Sequence, residues 1–70
     1  MRYTVHWTAP SGASAEPHAL GVRAAERAMT FASMGASDVY VETPDGRVFR
    51  APAQMAALIE HAQTADAARG

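Results

Sequence analysis

The chain is predicted to be an α+β domain: a small, mainly antiparallel sheet of three or four strands with two helices packed on one face, in the order β-(β)-α-β-β-α. Three observations carry this expectation. Tyr3, Val5 and Trp7 alternate with Arg2, Thr4, His6 and Thr8, the period of a half-buried strand. Val22 to Met34 then switches to helical spacing and stops before Gly35, which suits the left-handed residue that closes a helix. Asp38 to Ala51 reads as two alternating runs about Pro44-Asp45-Gly46, the chemistry of a bulged three-residue hairpin loop.

Each element can be justified in turn. Residues 2–8 form the first strand, and Ala9-Pro10-Ser11-Gly12 is turn chemistry. Residues 13–20 fit either a short edge strand, where Pro17 is tolerated, or a loop. In the first helix Val22, Ala24, Ala25, Ala28, Met29, Phe31 and Ala32 share one half of the wheel, and Arg23, Glu26, Arg27, Thr30 and Ser33 the other. Met34 breaks that pattern. With Thr43 opposite Arg47, the hairpin sets Val41 against Phe49 and Val39 against Ala51 on the inner face. Tyr40, Glu42, Val48 and Arg50 are then left on the outer one. Pro52 suits the first turn of a second helix whose apolar stripe is Met55, Leu58, Ile59, Ala62 and Ala65. Residues 1–66 make one domain, and 67–70 are expected to fray.

Composition narrows the function. Of 34 hydrophobic residues 17 are alanine, so the core is thin and a second copy or a partner is a natural source of further buried area. Net charge is −1, which removes the repulsion that usually accompanies disorder. Cysteine is absent, which disfavours a disulfide-dependent secreted fold and makes the cytoplasm the expected setting. The longest apolar run is Met55 to Ile59, far short of a membrane span, and residues 1–20 lack the layout of a signal peptide. All six basic residues are arginine, scattered among seven carboxylates, so no basic stripe invites nucleic acid.

Chemistry-bearing residues are sparse. His6, His18 and His61 fall on a strand, in a loop and on a helix's polar side, without the i, i+3 or i, i+4 spacing of a metal pair, and are expected to be solvated. Glu42 and Asp45 are explained by an exposed strand and a turn, and Ser11-Gly12-Ala13-Ser14 lacks the ending of a phosphate loop. No catalytic residue, metal or cofactor is therefore expected. The open sheet face is the better candidate: it displays Arg2, Thr4, His6, Tyr40, Glu42, Val48 and Arg50, a mixture enriched at protein interfaces. Arg2, His6, Tyr40, Glu42, Val48 and Arg50 are the expected partner-binding residues, against the plainer reading of a solvated face with ordinary cross-strand pairs.

The segment Ala24-Ala25-Glu26-Arg27-Ala28-Met29 through Gly35, then Asp38-Val39-Tyr40-Val41, Arg47-Val48-Phe49 and Gln54-Met55, resembles small phage-encoded anti-CRISPR proteins that inhibit type I surveillance complexes. Asp45 to Val48 is also similar to the Asp-Gly-Arg-hydrophobic turn of a family of small bacterial domains. The first resemblance implies a non-enzymatic inhibitor that binds a subunit of the surveillance complex in the host cytoplasm and blocks recognition of target DNA. Members of that class share no catalytic motif, so no residue role is carried over. A domain that homodimerises through the open face, and a weak single-stranded nucleic-acid binder using Tyr3 or Tyr40, Trp7 and the arginines, are the alternatives.

Overall fold

The computed structural model describes residues 2–65 in full and bounds the last helix at Arg69, so the fraying expected of residues 67–70 lies outside the described residues. The elements are β1 (Tyr3–Ala9), β2 (Gly12–His18), α1 (Gly21–Ser33), β3 (Ser37–Glu42), β4 (Val48–Arg50) and α2 (Met55–Arg69). The strands form one antiparallel sheet in the order β2-β1-β3-β4. This is the α+β architecture expected, with the sheet at its larger size.

β2 resolves the ambiguity of residues 13–20. Seven consecutive pairs run from Ala9 with Gly12 to Tyr3 with His18, so the strand is held by pairing to β1 and not by any apolar pattern of its own. Gly12, at φ 128, takes the backbone shape that lets a two-residue loop reverse the chain. Pro17 lies on the edge strand, where a missing donor costs no ladder bond.

α1 starts at Gly21, one residue earlier than its pattern suggests, because Leu20 already accepts from the Ala24 amide at 3.1 Å. It ends as expected. Gly35 has φ 90, its amide donates to Ala32 O at 3.2 Å, and the Ala36 amide donates to Phe31 O at 3.1 Å, a complete Schellman closure. Ala24, Ala25 and Ala28 are buried, but Val22 and Met29 lie at the margin of the apolar face and are each 38% exposed. β1 and β3 then pair with an irregularity between His6 and Thr8, where Asp38 (φ 50) is the extra residue.

The β3–β4 hairpin has the expected register, with Val41 opposite Phe49 and Tyr40 opposite Arg50. The Thr43 amide donates to Arg47 O at 2.8 Å and the Ala51 amide to Val39 O at 2.9 Å. Pro52 is a correction: it follows a cis peptide bond in the turn 51–54 and lies ahead of α2. There the Gln54 amide donates to Arg50 O and the Gln54 side chain accepts from the Arg50 amide at 2.7 Å, so the chain turns once more before the helix begins.

The core lies between the sheet and both helices. It comprises Tyr3, Val5, Val39 and Val41 from the strands, Ala24, Ala25 and Ala28 from α1, and Met55, Leu58 and Ala62 from α2. Trp7, Phe31, Phe49 and Ile59 pack against its rim. No helix of the described residues is long and apolar enough to cross a membrane.

Candidate binding face

Strand alternation puts the even-numbered residues of β1 on the side away from the helices, and register aligns them with β3 and β4. Two rows result: His6, Tyr40 and Arg50 in one, Thr4, Glu42 and Val48 in the next. In the first row the His6 and Tyr40 rings stack at 4.6 Å with 10° between planes, and the Arg50 guanidinium carbon is 5.5 Å from the Tyr40 centroid. An imidazole, a phenol and a guanidinium thus stand side by side across three strands, with the phenol covered on both flanks. His6 Nε2 is shielded from solvent; Glu42 Oε1 is 3.4 Å away but not placed to accept a hydrogen bond.

Of the expected partner-binding residues, the structure therefore brings His6, Tyr40 and Arg50 into contact and sets Glu42 beside His6. Val48 is 49% exposed at the end of its row. Arg2 is exposed and immediately precedes β1, on the same alternation as Thr4 and His6 but outside the paired strand.

The histidines correct an expectation. None is simply solvated; His6, His18 and His61 side chains are 28%, 19% and 26% exposed, each beside a carboxylate. His18 is the last residue of β2, and its Nε2 is 2.6 Å from Glu16 Oε1. Glu16 also accepts from Arg27 Nε at 3.0 Å, and those two contacts, Arg27's first, hold its carboxyl below the ordinary range. Arg27 lies 4.6 Å over the Phe31 ring, which stacks on Trp7 at 4.0 Å. This chain of contacts fastens the edge strand to α1 on the helix side of the sheet.

His61 belongs to a second cluster that sequence reading missed. The hairpin-tip carboxylate of Asp45 accepts a hydrogen bond from the Thr43 hydroxyl and sits 3.3 Å from His61 Nε2 on α2 and 3.6 Å from Arg47 Nε. The His61 ring lies 5.6 Å from that of Phe49. Arg47, Phe49, Glu60, His61 and Thr64 border an open hollow here. The arrangement pins the hairpin to the helix. The only signal for it in the sequence is a polar histidine two residues after the buried-side Ile59, too little to pair it with a turn.

Among the described residues no group of three or more His, Cys, Asp or Glu side chains could hold a metal ion. Comparison with protein-family models, with curated proteins and with solved structures finds no significant match to this chain, so the face is interpreted from its own geometry.

Proposed function

We propose that this chain is a small non-enzymatic binding module, acting in the cytoplasm, that docks a protein partner on the uncovered face of its sheet. The observation that carries the reading is the preassembled row His6, Tyr40 and Arg50. Tyrosine and arginine are among the side chains enriched at interface hot spots, and here neighbours already restrict both, which reduces the ordering cost of binding. Val48 and the exposed small residues Ala13 and Ala15 of β2 give the row an apolar surround.

The anti-CRISPR resemblance supplies a specific partner within this reading, a subunit of a type I surveillance complex, which the chain would occlude sterically from target DNA. The single-stranded nucleic-acid alternative is weaker. Base stacking needs an aromatic ring with a free flank, and Tyr40 has His6 on one side and Arg50 on the other.

The test is binding of the immobilised chain to purified type I surveillance complex and to bacterial lysate, repeated with Tyr40→Ala and Arg50→Ala. Both substitutions leave the core intact and are expected to weaken capture of the same partner at least tenfold, about 1.4 kcal/mol. Retention of that partner by both folded variants overturns the assignment of the face.

A further inference from the structure

The arginines divide by face. On the helix side and at the hairpin, Arg23, Arg27 and Arg47 each meet a carboxylate, at 4.0, 3.0 and 3.6 Å. Arg50 on the open face and Arg2, which precedes β1 on the alternation of Thr4 and His6, meet no carboxylate among the described residues, and both are exposed. Arg50 is nevertheless held in place, its backbone amide by Gln54 Oε1 at 2.7 Å and its guanidinium along the Tyr40 ring. A guanidinium so placed lacks only the bidentate anion it is shaped for.

Resting on the docking reading above, we propose that the partner presents an acidic, extended segment to this face, with two carboxylates seated on Arg50 and Arg2. Continuing the β1 alternation one step beyond the paired residue Thr4 sets Arg2 four positions from Arg50 along the strands and two strands away across them, or about 17 Å between backbones. Residues i and i+4 of an extended peptide are about 13–14 Å apart and point the same way, and the flexible arginine side chains cover the remainder. Glu42 lies between the two cations. The partner residue midway therefore carries a hydrogen-bond donor and no charge.

The same feature argues against a nucleic acid. Phosphates recur along a strand without the gap that Glu42 requires, and two cations on a chain of net charge −1 give little counterion release. Shape and charge together select a short acidic peptide.

The experiment is amide chemical-shift titration of the full chain with acetyl-Glu-Leu-Thr-Leu-Glu-amide, with its Gln-Leu-Thr-Leu-Gln counterpart, and with octathymidylate. Shifts centred on Thr4, His6, Tyr40, Glu42 and Arg50 are expected with the first peptide, at least fivefold weaker with the second. Arg50→Gln and Arg2→Gln, both exposed and expected to retain the wild-type spectrum elsewhere, each reduce the affinity. Equal binding of the two peptides, shifts confined to the helices, tighter binding of octathymidylate, or no binding of the acidic peptide each overturns the proposal. A partner whose capture is lost with Tyr40→Ala but unchanged in the Arg2→Gln/Arg50→Gln double variant leaves the docking reading standing and removes this one.

Discussion

Gly21 sits at a close approach of the two helices: a Cβ there would lie 2.2 Å from the Ala62 Cβ and 3.1 Å from the Tyr3 ring. Neither neighbour can swing away, since one is a Cβ fixed to its own backbone and the other a buried ring. Gly21→Ala is therefore expected to destabilise the fold by about 1–3 kcal/mol through overpacking, despite alanine's better helix propensity. Urea denaturation measures this, and the Gly21→Ala/Ala62→Gly pair should recover part of the loss. Asp45 gives a second prediction at this scale. The Thr43 hydroxyl, and after it the His61 imidazole, hold its carboxyl below the ordinary range. Because the folded value is the lower one, the stability it contributes is complete above the ordinary carboxylate pKa of about 3.9 and is lost as pH falls through the folded value. Asp45→Asn should be less stable than the wild type near neutrality, with the difference closing as pH falls below the ordinary carboxylate range, in urea titrations taken stepwise into acid. The sequence explains Asp45 as a turn residue; its contact with His61, sixteen positions later, depends on how α2 crosses the hairpin, and no local pattern encodes that.

At the scale of elements, legibility followed side-chain contrast. β1, β3 and β4 alternate strongly and their faces could be assigned in advance, as could the closure at Gly35. β2 could not, because Gly-Ala-Ser-Ala-Glu-Pro-His has no apolar alternation and becomes a strand only by pairing with β1. Pro52 misled for a related reason: a proline suits a helix start and a tight turn equally, and the hydrogen bonds of Gln54 decide between them. The open-face row was legible as membership of one face, whereas the stacking of His6 on Tyr40 needed the β1–β3 pairing, which joins segments over thirty residues apart. β2 is fastened to α1 through Glu16, Arg27, Phe31 and Trp7. Phe31→Ala removes the middle of that chain and should cost about 2 kcal/mol, below the range for a fully buried phenylalanine because Phe31 is half-buried. Trp7 is the sole tryptophan, so a red shift of its emission reports loss of the stack, and a higher urea sensitivity of the β2 amides reports the loosened edge.

At the scale of the whole molecule, the thin core does not translate into missing compactness. A 7.4 kDa chain has a solvent-accessible surface of 4383 Å², against about 4,200 Å² expected of a folded monomer of that mass. Alanines on both helices explain the agreement: four of the ten core residues are alanine, and small side chains let the helices sit close to each other and to the sheet. The surface of the single chain is thus that of a compact folded monomer of this mass. What remains uncovered is a face with a restrained polar row, paired charges behind it and a guanidinium, that of Arg50, with no carboxylate partner among the described residues, which fits the proposed docking of a partner that comes and goes better than a permanent subunit, whose interface would be more apolar. The chain is accordingly expected to sediment as a monomer at micromolar concentration, and to do so unchanged with Arg50→Ala. A dimer that dissociates on Tyr40→Ala would instead give the open face to a second copy, because only burial of that ring between protomers makes association depend on it.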